Sequence, residues 1–201
     1  MDERKWIERI LAGDTQSFSC LVAKYEKMAY TIALRILENR EEAEEAVQDA
    51  FVKMYRALSD FHFDSKFSTW FYRIVYRTAL TALRQQRMFV SYEEAGPVDL
   101  SNDEVESATA LLEREDRKEM IARTLKKLPA DEALLLTLYY LEECSVEEIC
   151  QITELSASNV KVKLFRGRKR FYEVLQDKMK LETADSVSYT HLRAHETSAH
   201  L

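Results

Sequence analysis

Glycine and proline are scarce in this sequence, which has three glycines and two prolines among its 201 residues. β-Hairpins need residues that accept positive φ, and strands need breakers at their ends, so the composition argues against a sandwich or barrel. The three cysteines, Cys20, Cys144 and Cys150, are too few and too scattered for a disulfide framework. We therefore expect an all-α protein whose cysteines are buried core thiols.

Long apolar runs and catalytic motifs are also missing. No stretch of about 18 apolar residues occurs, so we expect no direct membrane insertion. Residues 1–5 carry no apolar segment of a secretory signal, which favours a cytoplasmic protein. The sequence has no P-loop, no GxGxxG and no HExxH, and His62 is the only histidine in the part expected to fold. We therefore expect no enzyme, no cofactor and no metal site.

Charge is unevenly distributed, although the net charge is only −6. Residues 73–88 contain four arginines and no acid, and residues 156–175 contain six cations against Glu173. Between them, residues 91–116 contain nine acids against Arg114. Two basic segments separated by an acidic one indicate a nucleic-acid-binding protein better than the net charge does.

The first half of the chain is patterned as a helical bundle over residues 1–88. Apolar residues recur at helical spacing over residues 15–37, after the possible N-cap Asp14. Asn39 followed by Glu42 is typical of a second helix start. An aromatic-rich loop is expected at residues 61–67, and a third long helix from about Thr69 to Arg87.

The second half is predicted to form a smaller helical domain over residues 116–182. Ser145 with Glu148 predicts a capping box, and either Ser156 or Ser158 could cap the last helix, which we expect to run to about Lys180. Two short helices, a tight turn and a basic second helix are the layout of a helix-turn-helix. An ordinary helical hairpin with a solvated basic face would give the same pattern.

Two segments lie outside these predicted domains. Residues 89–115 form an acidic linker, for which a plain spacer and a functional role are equally consistent with the sequence. Residues 183–201 are interpreted as a tail of non-native sequence, because the run from Val187 resembles translated adaptor sequence and has no amphipathic period.

Four segments in order resemble one protein family. They are EEAEEAVQDAFVKMYRAL at 41–58, KFSTWFYRI at 66–74, the stretch from Leu128-Pro129 to Tyr139-Tyr140-Leu141-Glu142, and SVEEI at 145–149 with SASNVKVKLFRGRKR at 156–170. Together they resemble regions two and four of the bacterial extracytoplasmic-function (ECF) sigma factors, over about residues 8–178. The resemblance implies an all-α fold of two small helical domains, the region-two bundle and the region-four helix-turn-helix, joined by the acidic linker.

The resemblance also implies functional surfaces and partners. It implies that the chain directs core RNA polymerase to specific promoters, helps to open the DNA, and is held by an anti-sigma protein. The residues expected to bind polymerase are Glu45, Gln48 and Asp49. Those expected to bind the minus-ten element are Lys66, Ser68, Trp70, Arg73, Arg77, Thr81 and Arg84. Those expected at the minus-thirty-five element are Ser158, Asn159, Lys161, Val162, Lys163, Phe165, Arg166, Arg168 and Lys169.

Physical chemistry supports these assignments but leaves alternatives. Flat rings beside a basic helix suit single-stranded DNA, since bases stack on rings and cations track phosphates. Phe67 and Phe71 could equally be core residues, and an acidic stripe such as Glu45 to Asp49 is often only a solvated face. The linker could, by resemblance, thread into polymerase near the RNA path.

Three positions depart from the family pattern. Glu154 occupies a turn where glycine is frequent, and Arg77 stands where some members carry asparagine, which puts base preference in doubt. Cys150 replaces a usual alanine. The main alternative function is a stand-alone helix-turn-helix regulator that binds duplex operators without polymerase. An enzyme with an appended helix-turn-helix is a third alternative.

Overall fold

The computed structural model describes residues 3–90 and 112–197. Within these ranges the regular structure is entirely helical, as predicted. The helices are α1 (Glu3–Leu11), α2 (Gln16–Leu37), α3 (Arg40–Arg56), α4 (Phe67–Val90), α5 (Leu112–Lys126), α6 (Ala130–Tyr140), α7 (Val146–Thr153) and α8 (Ala157–Thr197). A 3-10 turn at Leu58–Asp60 precedes the aromatic loop. Residues 91–111, most of the predicted acidic linker, lie outside the described residues.

The N-terminal unit is a bundle in which α2, α3 and α4 pack against one another. The apolar stripe of α2 is buried through Leu21, Tyr25, Ala29 and Ile32, as its periodicity predicts. Alanines on the inner face of α3 permit close approach, and α4 fills the centre with aromatic rings. Phe71, at 0% exposure, is the largest fully buried side chain, and burial of such a side chain contributes about 1.5–3 kcal/mol.

Local capping explains where the helices of this unit begin. The Asn39 side chain accepts a hydrogen bond from the backbone N–H of Glu42, which fixes the start of α3 as the sequence predicts. Asp14 accepts from the backbone N–H of Gln16 and from the Ser17 hydroxyl just before α2. These bonds satisfy donors that a helix N-terminus leaves without intrahelical partners.

The C-terminal unit is built around α6, which is buried along residues 132–138 and packs on α8. The capping box of Ser145 and Glu148 opens α7, as predicted. Glu154 ends α7 in the left-handed region, at φ 61° and ψ 16°, where glycine is the residue of least strain. Ser156, and not Ser158, is the N-cap of α8, because its hydroxyl accepts from the N–H of Asn159.

The two units contact each other through α4 with α7 and through α2 with α6. The Arg35 guanidinium of α2 donates to the backbone carbonyl of Leu125 in α5, at 3.3 Å. The helix-turn-helix therefore lies directly against the N-terminal bundle. This contact was not anticipated from the sequence, which suggested two units separated by a linker.

Three expectations need correction. Cys20 is exposed and Cys150 is half-buried, so only Cys144 is a buried thiol. Cys20 lies off the apolar stripe that its neighbour Leu21 joins. Helix α4 already begins at Phe67, before the expected start near Thr69. Helix α8 continues to Thr197, past the expected end near Lys180, because residues 181–197 contain no glycine or proline to break it.

Candidate nucleic-acid interface

One face of α4 gathers the residues predicted for single-stranded DNA. Lys66, just before the helix, and residues 70, 73, 77, 81 and 84 follow one another at three- and four-residue spacing, which places them on one side of a helix. Lys66, Arg77, Thr81 and Arg84 are exposed, whereas Ser68, Trp70 and Arg73 are half-buried. The structure thus brings the predicted set into one strip except for Ser68, which lies about 200° around the helix from Trp70.

The rings at the start of α4 divide into core and surface. Phe67 and Phe71 are buried, at 3% and 0% exposure, so both are core residues and not free stacking platforms. Trp70 is partly exposed and packs against Phe61, with ring centroids 5.0 Å apart. Phe63 is 40% exposed and lies 4.7 Å from Phe61. Trp70 and Phe63 are therefore the rings that an unstacked base could reach.

Two cations of this strip, Lys66 and Arg77, are paired with acids of the C-terminal unit. The Lys66 ammonium lies 3.0 Å from Glu148 Oε1. The Arg77 guanidinium donates from Nε to Glu154 Oε1 at 2.8 Å, and a second nitrogen of the same group also donates to that oxygen. These acids could not be found from the sequence, because opposite charge is their only signal and no spacing rule connects such distant segments.

Electrostatics at this contact favour the paired state. Burial acts to raise the pKa of Glu148, but hydrogen bonds from the Ser145 N–H and Lys66 outweigh it and hold that pKa below its ordinary value. The Tyr72 hydroxyl donates to Glu142 Oε2 at 2.8 Å. Burial, followed by this hydrogen bond, raises the pKa of Tyr72 well above its ordinary value. Glu148 is consequently charged and Tyr72 neutral near neutral pH.

The second basic surface is the first half of α8. Val160 and Leu164 are buried against the rest of the unit, and Lys161 and Val162 between them point outward. Phe165 is 64% exposed and Val162 is 46% exposed, which is unusual for such apolar side chains. The other predicted residues that are exposed on this helix are Ser158, Asn159, Lys161, Arg166, Arg168 and Lys169.

Lys163 differs from the other predicted contacts of α8. Its side chain is half-buried, whereas the others are exposed, and it forms an ion pair with Asp131 in the first turn of α6. Two helical turns further along, Arg170 lies 2.9 Å from Glu132, a buried carboxylate. Both acids come from α6, so these pairs hold α8 to its own unit. Spacing within α8 alone could not indicate which cations are used internally.

The acidic stripe on α3 is accessible. Glu45, Gln48 and Asp49 are exposed, and the Asp49 carboxylate lies 4.0 Å from the Lys53 ammonium. Val52 and Tyr55 extend the same helix surface and are 48% and 46% exposed. The surface therefore combines negative charge with apolar area, a combination that the sequence analysis did not single out.

Residues 3–90 and 112–197 contain neither a metal-binding cluster nor a membrane-spanning helix. In that part of the chain, no group of three histidine, cysteine, aspartate or glutamate side chains is placed to hold a metal ion. Among the described helices, none combines the length and apolar character needed to cross a membrane.

Comparison with protein families and curated relatives accounts for this arrangement. The model of Sigma-70 region 2 matches residues 21–88, and that of Sigma-70, region 4 matches residues 118–171. The RNA polymerase sigma-H factor of Pseudomonas aeruginosa is 32% identical over 181 residues, covering 87% of this chain and 94% of that protein. The ECF RNA polymerase sigma-E factor of Escherichia coli K12 is 31% identical over 170 residues, covering 81% and 88% respectively.

Solved structures share the fold. The sigma factor RpoE in complex with the anti-sigma factor NepR, from Bartonella quintana, gives a TM-score of 0.65 at 18% identity over 81% of this chain and 98% of that one. CnrH in complex with the cytosolic domain of CnrY gives 0.57 at 21% identity, over 87% and 97%. With both sigma regions in order and relatives of this identity over most of its length, the chain belongs to the ECF sigma factors.

Proposed function

We propose that this sigma factor binds promoters through two separate helices, α4 at the minus-ten element and the first half of α8 at the minus-thirty-five element. The observation that supports this most strongly is the surface of α8. Its inward positions, Val160 and Leu164, are buried, and its paired cations Lys163 and Arg170 are held by α6. The remaining polar and basic side chains near its N-terminus face outward, as a helix that enters a major groove requires.

Within α8, different residues are proposed to read bases and to hold phosphates. Ser158, Asn159, Lys161, Val162 and Phe165 lie in the first turns, where a recognition helix approaches base edges. Arg166, Arg168 and Lys169 lie further along and are assigned to phosphates. Lys163 keeps its predicted assignment to phosphate only if it releases Asp131 on binding, since its ammonium is already paired.

At the minus-ten element, α4 is proposed to hold the non-template strand in single-stranded form. Trp70 offers a partly exposed ring and Thr81 a hydroxyl on this strip, and Ser68 offers a second hydroxyl at the helix start, off the strip. Arg73, Arg77 and Arg84 follow the same strip with cations for consecutive phosphates, and Lys66 stands at its start. Stacking and charge together supply binding energy for DNA opening, so no catalysis, ATP, cofactor or metal is proposed.

Core RNA polymerase is proposed to bind the acidic surface of Glu45, Gln48 and Asp49. The relatives of this chain named above are sigma factors of RNA polymerase, and an exposed acidic stripe requires a basic partner on the enzyme. An anti-sigma protein is proposed as a second partner, because two similar folds were solved in such complexes or with a cytosolic partner domain. The proposed site of action is the cytoplasm.

An electrophoretic mobility shift with promoter-containing genomic fragments tests this function. The chain should shift specific fragments strongly only with core polymerase, since the minus-ten strand must be opened. Asp49→Lys with Glu45→Lys should abolish the core-dependent shift and change the free energy of unfolding by only about 0.5 kcal/mol. Glu26→Lys, at an exposed position of α2, is the control. A specific shift of equal strength without core would favour the stand-alone regulator.

A further inference from the structure

The contact between α4 and α7 covers part of the surface assigned to the minus-ten strand. At three positions along this contact, a polar side chain at or just before α4 pairs with an acidic side chain of the C-terminal unit. Lys66 meets Glu148 at 3.0 Å, Tyr72 donates to Glu142 at 2.8 Å, and Arg77 donates to Glu154 at 2.8 Å. The acceptor is a carboxylate in every case.

Glu148 is fixed for this contact by the fold of its own unit. Its Oε2 accepts from the backbone N–H of Ser145 and completes the capping box of α7. Its Oε1 is thereby left for Lys66 and for the Thr69 hydroxyl, at 3.0 and 3.4 Å. Only 17% of the Glu148 side chain is exposed. The carboxylate is thus a preorganised acceptor and not a mobile surface acid.

Glu154 occupies a position where glycine would be less strained. Its φ of 61° lies in the left-handed region, which side chains with a Cβ adopt at a cost. What a glycine could not supply is the carboxylate that receives two nitrogens of Arg77. A guanidinium that donates through two nitrogens is the arrangement by which arginine also binds phosphate.

We propose that this sigma factor closes on itself, with the α7 carboxylates of Glu148 and Glu154 standing where minus-ten phosphates would bind. While they hold Lys66 and Arg77, single-stranded DNA cannot use these two cations of the α4 strip. This proposal rests on the assignment of α4 to the minus-ten strand. It adds a regulatory contact that needs no second protein.

The closed form should open readily. The Lys66 side chain is 66% exposed, and the Arg77 and Glu154 side chains are 61% and 54% exposed, so water and salt screen both pairs. Two partners can therefore compete with α7. Polymerase can separate the units by binding each of them, and DNA phosphates can replace the carboxylates.

The test removes the charges and keeps the fold. Glu148→Gln with Glu154→Gln neutralises both acids, and glutamine still serves in the capping box. Glu143→Gln with Glu147→Gln is the matched control, since Glu143 also has positive φ, 52°, and Glu147 lies in the same turn as Glu148. Both control residues are exposed. The two double variants have equal net charge.

Two readouts are measured on the full chain. Spin labels on Cys20 and on Tyr172→Cys, with Cys144→Ala and Cys150→Ala, report the distance between the units. Anisotropy of a fluorescein-labelled, random-sequence single-stranded DNA reports access to α4. Compared with the control, the Glu148/Glu154 variant should show a longer distance between the spin labels. It should also bind the DNA at least about fivefold more tightly. Equal distances, or equal DNA affinities, in the two double variants would overturn closure.

A charge exchange separates a specific contact from a general charge effect. Arg77→Glu alone should lengthen the distance, because it places two carboxylates together. Adding Glu154→Arg should restore the short distance, and failure to restore it would contradict a direct pair. Absence of DNA binding in all variants counts instead against the assigned function of α4. Strong binding that does not differ between variant and control counts against closure alone.

Discussion

Helices α4 and α8 are both basic and both assigned to DNA, yet their charges are used differently. On α4, Lys66 and Arg77 are paired with acids of the other unit. On α8, the internally paired cations Lys163 and Arg170 are bound within their own unit, and Lys161 remains exposed. A basic helix is therefore defined less by its total charge than by where its counter-charges lie. On the proposed assignments, the α8 surface is accessible to DNA, while α4 must first be uncovered.

The largest effect is expected from a substitution that disrupts the packing of α8 against α6 and leaves α4 unchanged. Gly167 lies so close to α6 that an added Cβ would be 3.2 Å from Leu136 and 3.3 Å from Glu132. Gly167→Leu should therefore force α8 away and destabilise the chain by up to about 3 kcal/mol. Arg166→Leu, at the exposed neighbouring position, should change stability by about 0.5 kcal/mol or less. Urea denaturation measures both, and equal stabilities would show that the close packing of α6 and α8 is unimportant.

The next prediction separates base reading from phosphate holding on α8. With Ser156 as the N-cap, Lys161 lies on the exposed side of the second turn, away from Val160. Lys161→Ala should cost about 1–3 kcal/mol on the best minus-thirty-five sequence and much less on scrambled DNA. Arg168→Ala should weaken all sequences alike and make the log-affinity versus log-salt slope shallower by about one unit. The opposite specificity ratios would mean that the register of α8 toward the groove is wrong.

The smallest expected effect concerns the contact between α4 and the C-terminal unit. Tyr72→Phe removes the hydroxyl that donates to Glu142, and should lower the free energy of unfolding by about 0.5–1.5 kcal/mol. The pKa of Tyr72 is raised in the folded chain, so its protonated hydroxyl stabilises the fold. This stabilisation is fully present below the ordinary tyrosine pKa of 10.0, and it is lost progressively as the pH rises above that value.

Denaturation at about pH 8 and at about pH 11 checks this sign. Wild type should lose more stability than Tyr72→Phe over that interval. Tyr172→Phe, at a position 60% exposed, should behave as wild type. An identical pH dependence in Tyr72→Phe and wild type would remove Tyr72 from the account of this contact.

Local signals in the sequence predicted much of the fold. The apolar stripe of α2, the Asn39 cap of α3 and the capping box of α7 each depend on residues a few positions apart, and all are present in the structure. The strip on α4 was predictable for the same reason, since helical spacing fixes which residues share a face.

Contacts between distant segments could not be predicted in this way. Thr69 and Glu148 are 79 residues apart, and Arg77 and Glu154 are 77 apart, so no spacing rule connects them. Glu148 was recognised for its local capping role, and its second role toward α4 becomes visible only in three dimensions. Likewise, the closeness of Lys163 to Asp131 depends on how α6 packs against α8.

Run-off transcription with core polymerase tests the central claim, that both helices are needed to start at a promoter. The templates are genomic fragments that the wild-type chain and core transcribe together. Arg73→Ala with Arg77→Ala removes proposed DNA contacts of α4, and Asn159→Ala with Lys161→Ala removes proposed DNA contacts of α8. We expect each double variant to reduce specific transcripts by at least about tenfold while still binding core. Full transcript levels from either variant, or no specific transcript with the wild-type chain, would contradict the two-helix account.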